Sequence, residues 1–338
     1  MVKVAVIGAT GYTGQELLKL LLKRSDIEVT AVTSETSAGQ HLGQTAPTLA
    51  RDHHLILEKS DPKAISKRAD VVFMCLPHGQ AMSTAEIYLN KGLKVLDLSA
   101  DFRLKDPAQY RQWYSLEHTA PGLLAKAVYG LPELYAPRIR TADLVAVPGC
   151  YPTSVILAMA PLLGLPGLDA QTLTVNSASG VSGAGRTLKD HLMFAQMEGD
   201  FYAYGAPTHR HTVEMEQELT HVAGREMKVS FIPHLLPVSR GIYTTITVGT
   251  SQAVDEESIT ETLKKFYLNS HFVHVVSGFP QMKWTLNTNH AYIGARVDKR
   301  TGLAIITSAI DNLVKGAAGQ AMQCFNLMND MDEAEGID

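Results

Sequence analysis

The chain has 338 residues, 45% hydrophobic and 19% charged, with a formal net charge of −4. That length exceeds one ordinary core and suits two domains. The charge balance offers no basic surface for nucleic acid, and no apolar run approaches the ~18 residues of a membrane span.

Residues 2–7 form an apolar strand interrupted only by Lys3. With a strand at its start and no charged leader or cleavage site, the sequence predicts no secretory signal. Gly8-Ala9-Thr10-Gly11-Tyr12-Thr13-Gly14 follows, and residues 15–24 have helical spacing through Leu17, Leu18, Leu20, Leu21 and Leu22. Gly-x-x-Gly-x-x-Gly departs from the Gly-x-Gly-x-x-Gly fingerprint but meets the same demand. It makes a tight turn and lets a pyrophosphate approach backbone at a helix N-terminus. A second strand, 27–33, ends in Ser34-Glu35-Thr36-Ser37. There Glu35 suits a ribose 2′-hydroxyl, whereas Ser34, Thr36 and Ser37 suit a 2′-phosphate, and no arginine decides between them.

Parallel strands at 70–76 and 94–98 end in Pro77-His78-Gly79 and in Ser99-Ala100-Asp101-Phe102-Arg103. Ligands of doubly wound sheets sit beyond strand carboxyl ends, which makes both loops site candidates. Cys75 lies within an apolar run and reads as core. The forked guanidinium of Arg103 can clamp a phosphate or carboxylate, or serve a surface salt bridge.

Residues 144–147 read as a short buried strand. Pro148-Gly149 then forces a turn, and Pro152 suits the first turn of a helix. Cys150 is thereby presented where backbone N–H groups and the positive end of a helix dipole converge. That setting favours thiolate and can hold an oxyanion. The three cysteines, Cys75, Cys150 and Cys324, are far apart and lack Cys-x-x-Cys spacing. Neither disulfides nor a zinc cage is expected, which points to a reducing cytoplasm.

A helix to Leu163 and a strand at 172–176 lead into Ser177-Ala178-Ser179-Gly180-Val181-Ser182-Gly183-Ala184-Gly185-Arg186. This reads as a small-residue loop able to pack closely against a cofactor or acyl group. His209 and His211 bracket Arg210 just before a helix opening at Thr212-Val213-Glu214-Met215. His211 is the choice for acid–base work, with His209 binding substrate or capping; a His-x-His pair falls short of a closed zinc site. Alternation at 228–232, 241–248 and 304–310 predicts a largely antiparallel second sheet. Residues 311–322 predict a helix with a small-residue face, and the acidic tail after Asn329 is expected to fray.

A dinucleotide fold, an activated thiol and a histidine together suit one chemistry. The thiolate attacks an acyl phosphate and expels phosphate, and hydride from a nicotinamide cofactor then takes the thioester to an aldehyde. A histidine manages the protons, and an arginine holds the phosphate.

Several stretches resemble the N-acetyl-gamma-glutamyl-phosphate reductase family, in order over nearly the whole chain. They are the loop 8–14, Leu98-Ser99-Ala100-Asp101-Phe102-Arg103, Val147-Pro148-Gly149-Cys150-Tyr151-Pro152-Thr153, the run 179–186, His209-Arg210-His211 and Asp311-Asn312-Leu313-Val314-Lys315-Gly316-Ala317-Ala318. The resemblance implies NADPH as cofactor, a place in arginine biosynthesis, a homo-oligomer (commonly a tetramer), and fold and thioester chemistry similar to aspartate-semialdehyde dehydrogenase. The expected architecture is α/β. A Rossmann-like, doubly wound NADP-binding domain spans 1–149 and is completed by a C-terminal helix at 312–330. An α+β catalytic and oligomerisation domain spans 150–311.

The expected catalytic pair is Cys150 and His211, with Arg103, His209, Arg210 and Ser179 on the substrate. Gly8, Thr10, Gly11, Tyr12, Thr13, Gly14, Ser34, Pro77, Ser99, Ser182, Gly183 and Asn312 are expected on the cofactor, and no metal is expected. Two positions depart from the family pattern. Glu35 stands where an arginine is common, which weakens a preference for NADP, and Val213 replaces a proline. The alternatives are a related reductase of aminoadipyl or aspartyl phosphate, a Cys–His hydrolase, and a non-catalytic nucleotide sensor.

Overall fold

Short runs of apolar residues without polar alternation become parallel strands buried on both faces. Seven strands form the first sheet: β1 (Val2–Ile7), β2 (Ile27–Thr33), β3 (Leu57–Glu58), β4 (Val71–Met74), β5 (Lys94–Asp97), β6 (Val128–Tyr129) and β7 (Leu144–Ala146), of which β4, β6 and β7 are wholly buried. All neighbours are parallel, in the order β3-β2-β1-β4-β5-β7-β6. Winding reverses between β1 and β4, so the loops after those strands flank the switch point at which doubly wound sheets bind ligands. The computed structural model describes residues 1–52 and 54–338, in two units: Met1–Pro148 with Ala317–Asp338, and Gly149–Gly316.

The first unit is Rossmann-like. Its core runs through Val4, Ala5 and Val6 of β1 and Val72 and Phe73 of β4, all fully buried. The C-terminal helix Gly319–Met328 is buried on every side and packs against the helices Tyr12–Leu21 and Pro132–Arg140. Phe325 meets Phe73 with ring centroids 5.6 Å apart.

Two expectations fail here. The tail after Asn329 is held in place instead of fraying. The Arg24 guanidinium, 8% exposed, grips Asp26 at 2.8 and 2.6 Å, Asn326 at 3.0 Å and the Glu335 carbonyl at 2.6 Å, and Ile337 is buried. The predicted helix at 311–322 is also not uniform. A π-helical turn at Val314–Ala318 precedes the α-helix, and Asp311 Oδ1 accepts the N–H groups of Leu313 and Val314 at 2.8 and 3.2 Å.

The second unit carries a mixed sheet of β8 (Leu168–Gly180), β9 (Tyr202–Ala203), β10 (Lys228–Leu236), β11 (Ile242–Thr250), β12 (Val273–Val275), β13 (Ala291–Asp298) and β14 (Leu303–Ile310), ordered β12-β13-β14-β11-β8-β10-β9. Four neighbouring pairs are antiparallel, while β8–β10 and β12–β13 are parallel. The helix Cys150–Met159 packs on β11 and β14, and the helix His211–Ala223 packs on β10 and on the Cys150 helix.

The expected loop at 177–186 begins later than read, because β8 runs on through Gly180. At its end the loop between β10 and β11 comes close: a Cβ at Gly180 would fall 2.6 Å from the Arg240 backbone nitrogen. Among the described residues no helix is long and apolar enough to cross a membrane.

Candidate active site

Cys150 is the first residue of the helix Cys150–Met159, with Gly149 as an extended N-cap. The nine residues from Tyr151 to Met159 are all buried, so the helix is anchored along its length while the thiol stays half-buried. Thr153 ties the first turn together, its N–H and hydroxyl bonding the Gly149 carbonyl at 2.9 and 3.1 Å. The N–H groups of a first turn lie outside the helix's own ladder and carry its positive end, which favours thiolate at this position.

Two further residues shape the turn. The Gly149 N–H donates to Glu214 Oε1 at 2.8 Å, and Glu214 is fully buried. From the other direction the π-helical turn presses Gly316 onto the cysteine, where a Cβ would lie 2.7 Å from Cys150 Cβ. Only glycine permits that approach. Sequence reasoning missed Glu214, which reads as an ordinary acidic residue in the first turn of a helix.

His211 is the first residue of the helix that carries Glu214. Both histidines meet the ring of Tyr151, the neighbour of Cys150: His209 at 5.7 Å, His211 at 5.9 Å, and 4.9 Å from each other. Their environments differ. His209 Nδ1 accepts the His211 N–H at 3.2 Å, and burial, with Arg210 beside it, lowers the His209 pKa to about 4. His209 is therefore neutral near pH 7, whereas Arg210 is exposed at the helix N-cap.

The Tyr151 hydroxyl meets that of Tyr204 at 3.2 Å, and burial raises the Tyr204 pKa to about 12 and pushes Tyr151 up as well. Ser179, 2% exposed, lies near the end of β8. Asn312 Oδ1 accepts the Gly241 N–H at 2.7 Å and its Nδ2 donates to Ser182 Oγ at 3.0 Å. A Cβ on Gly183 would sit 3.3 Å from Ser179 Oγ and 3.7 Å from Asn312 Nδ2. The structure thus brings Ser179, Ser182, Gly183 and Asn312 together.

In the first unit the three glycines of the opening loop have different causes. Gly8 has φ +84°, and a Cβ there would meet the Cys75 carbonyl oxygen at 2.3 Å. Gly14 packs its helix against the strand end, with a Cβ 2.5 Å from the Gly8 carbonyl oxygen. Gly11 has φ −68° and ψ 161°, and the nearest atom to its Cβ would be 3.7 Å away. The protein's own packing does not demand glycine at 11. Beyond its chain neighbours, no other atom of the described residues lies within 4 Å of that Cβ position. Tyr12 and Thr13 open that helix, and Thr10 Oγ1 meets Ser34 Oγ at 3.1 Å at the end of β2. Glu35 accepts the Ser60 N–H at 3.1 Å.

The loop after β5 is braced internally. The Ser99 N–H and hydroxyl bond Asp97, each at 2.9 Å, and Ser99 Oγ accepts the Asp101 N–H at 3.1 Å. Asp101 in turn accepts the N–H groups of Gly79, Ala81 and Met82, which joins this loop to the one containing Pro77. Burial, then the nearby Asp101, raises the Asp97 pKa to about 7. Arg103 is 5% exposed, and Nε donates to the Val147 carbonyl at 2.7 Å and Nη2 to the Leu98 carbonyl at 3.1 Å. It is a buried residue and not a surface one.

Comparison with known proteins agrees with this fold. Residues 3–142 match the family described as semialdehyde dehydrogenase, NAD binding domain, and residues 150–312 match semialdehyde dehydrogenase, dimerisation domain. The chain is 47% identical to the N-acetyl-gamma-glutamyl-phosphate reductase of Pelotomaculum thermopropionicum, covering 99% of this chain and 97% of that one. It is 46% identical to that of Geotalea daltonii, covering 100% and 98%. In fold it is similar to aspartate semialdehyde dehydrogenase II of Vibrio cholerae (TM-score 0.73, 17% identity, 98% of each chain). It is also similar to the aspartate semialdehyde dehydrogenase of Candida albicans crystallised with NADP (TM-score 0.73, 18% identity, 97% and 98%). The chain belongs to the N-acetyl-gamma-glutamyl-phosphate reductase family and is a phosphorylating oxidoreductase of the semialdehyde dehydrogenase type.

Proposed function

We propose that this protein reduces N-acetyl-gamma-glutamyl phosphate to N-acetylglutamate 5-semialdehyde with NADPH, through a thioester on Cys150. We place the reaction in cytoplasmic arginine biosynthesis, catalysed by a homo-oligomer, a tetramer by family resemblance. The observation that carries this reading is Cys150 at the head of a buried helix, with Gly149 held by Glu214 and His211 heading the neighbouring helix.

Cys150 Sγ gives up its proton to His211 and attacks the acyl carbon, forming a C–S bond as the C–O bond to phosphate breaks. The guanidinium of Arg103 takes the phosphate. NADPH, when bound, would supply the hydride that reduces the thioester carbon. His211 then donates its proton to the hemiacetal oxygen and takes it back as the C=O bond forms and the C–S bond breaks, releasing aldehyde and thiolate. Arg210 holds the substrate carboxylate, with Ser179 and the neutral His209 beside it. Gly8, Gly11 and Gly14 with Thr10, Tyr12 and Thr13 would hold the pyrophosphate, and Ser34 the adenosine ribose side. Pro77, in the loop braced by Ser99, and separately Ser182 and Gly183, beside Asn312 in the second unit, are further residues proposed to bind the cofactor.

The curated relatives are named for this reaction, which supports the substrate. The test is phosphate-dependent reduction of NADP by N-acetylglutamate 5-semialdehyde, run beside aspartate semialdehyde. Preference for the acetylglutamate compound is expected. Turnover only with aspartate semialdehyde would overturn the substrate, and turnover without phosphate would overturn the acyl-phosphate step.

A further inference from the structure

One helical turn beyond Cys150, on the same face of its helix, Ser154 meets a row of hydroxyls on the sheet. Ser177 of β8, Thr244 of β11 and Ser308 of β14 are direct cross-strand partners. These three and Ser154 are at most 1% exposed. Around them Val175, Ile242, Ile246, Ile306 and Ile310 are fully buried, so the row is a polar line through an apolar layer.

Proton counting gives the line a direction, since each hydroxyl has one proton to donate. Ser154 Oγ donates to the Tyr151 carbonyl at 2.8 Å. In its 2.7 Å contact with Thr244 Oγ1 the proton must therefore come from Thr244. Thr244 has then used its proton, so the 2.8 Å contact with Ser177 is donated by Ser177. Ser308 Oγ separately donates to the Ser154 carbonyl at 2.8 Å. The chain runs Ser177 to Thr244 to Ser154 to the Tyr151 carbonyl, in the first turn behind the thiol.

We infer that Thr244 is a positioning residue for Cys150, its hydroxyl acting through Ser154 to fix the rotation and height of the nucleophile's helix on the sheet; this rests on Cys150 being the reactive thiol. Apolar packing is non-directional and tolerates small slides and rotations of a helix. A buried donor aimed at one oxygen does not, because a shift leaves a polar group unsatisfied away from water. Gly316 lies against Cys150 with no room for a Cβ, so a small rotation of the helix alters the thiol's surroundings directly.

The direction of the chain makes the inference testable by rank order. Thr244→Val leaves the Ser154 oxygen without its donor and the Ser177 proton without an acceptor. Ser177→Ala, at an equally buried position, leaves the bond from Thr244 to Ser154 intact. The measurement is the pH dependence of Cys150 alkylation by iodoacetamide in the full-length protein, read by peptide mass, alongside kcat and KM. Thr244→Val should slow alkylation at neutral pH about three- to tenfold, roughly what one net hydrogen bond is worth, and lower kcat by a similar factor at unchanged KM. Thr244→Ser should restore both, and Ser177→Ala should stay within about twofold of the parent.

A parental alkylation profile and kcat in Thr244→Val would overturn the inference, as would a Ser177→Ala variant impaired to the same degree. If Thr244→Val does not fold, Ser154→Ala should show the slowed alkylation, and parental alkylation there overturns the inference alone. Alkylation needs no substrate. Failure of the parent to turn over acetylglutamyl phosphate would thus sink the proposed reaction while leaving this readout intact.

Discussion

The carboxylate of Glu214 accepts the backbone N–H of Gly149 at 2.8 Å, linking the residue before Cys150 to the helix headed by His211. One buried acid therefore sets the spacing between the two elements that carry the proposed thiol and its proton partner. Removing it leaves a buried N–H unpaired and frees the turn. Glu214→Ala should lower kcat/KM roughly ten- to a hundredfold, in line with the ~1.5–3 kcal/mol of a hydrogen bond to a charged group. Glu214→Gln keeps an accepting oxygen and should retain most of the activity. Steady-state kinetics of the two variants decide it, and equal loss in both would show that the charge matters more than the bond.

His211 and His209 should separate cleanly. His211→Ala is expected to lower kcat about 10²–10⁴-fold, the range for general acid–base catalysis. His209 should remain neutral down to a pKa of about 4, against an ordinary 6.5. The unfolded chain then takes up that proton first. The contribution of His209 to stability is thus complete above pH 6.5 and falls as pH drops from there toward 4. NMR titration of the imidazole resonances tests this, and a His209 midpoint near 6.5 would contradict it. If His209→Ala were the crippled variant, the two roles would be exchanged.

Arg103→Lys tests the phosphate assignment. Lysine keeps the charge but loses the two-point fork, and it also surrenders the geometry that now spans the Val147 and Leu98 carbonyls. The apparent KM for phosphate in the reverse reaction should rise while NADP affinity stays nearly unchanged. An effect confined to NADP binding would move Arg103 to the cofactor side.

Gly11→Ala and Gly14→Ala should differ in kind. An alanine at 11 has ordinary φ and a nearest neighbour at 3.7 Å, so the fold should be unaffected. Its methyl group would occupy the space proposed for pyrophosphate and should raise the NADP Kd on the order of tenfold, the effect of ~1.4 kcal/mol. An alanine at 14 would press within 2.5 Å of the Gly8 carbonyl oxygen and should lower the melting temperature. Calorimetric titration and thermal melting of both variants make the comparison. Unchanged NADP affinity in Gly11→Ala would contradict the cradle.

Much of the fold was legible because its signals are local. Apolar runs announced β1, β4 and β5, the glycine loop announced the first crossover, and Pro148-Gly149 with Pro152 announced the helix head at Cys150. What was misread depended on distant partners. Ser177 to Gly180 looked like loop because small residues are turn formers, yet they continue β8, pairing with β10 on one side and β11 on the other. The tail looked frayed because its acids were visible while Arg24, its anchor, is more than three hundred residues away. Glu214 and Thr244 carried no sequence signal, since each acquires its role from a residue 65 or 90 positions off. Residues whose setting is announced by their own backbone, such as Cys150 and Gly8, are legible in the sequence, but those that hold them are not.

The most direct measurement is the intact mass of the protein mixed with N-acetyl-gamma-glutamyl phosphate in the absence of nicotinamide cofactor. The account predicts phosphate release of one equivalent per chain and a mass increase of one N-acetylglutamyl group, mapped to the Cys150 peptide, reversed by hydroxylamine, and absent from Cys150→Ser. The same variant should fold, bind NADP and lose more than ~10³-fold in turnover, because a serine hydroxyl is scarcely ionised at neutral pH. An adduct on another residue, or near-parental turnover by Cys150→Ser, would contradict it.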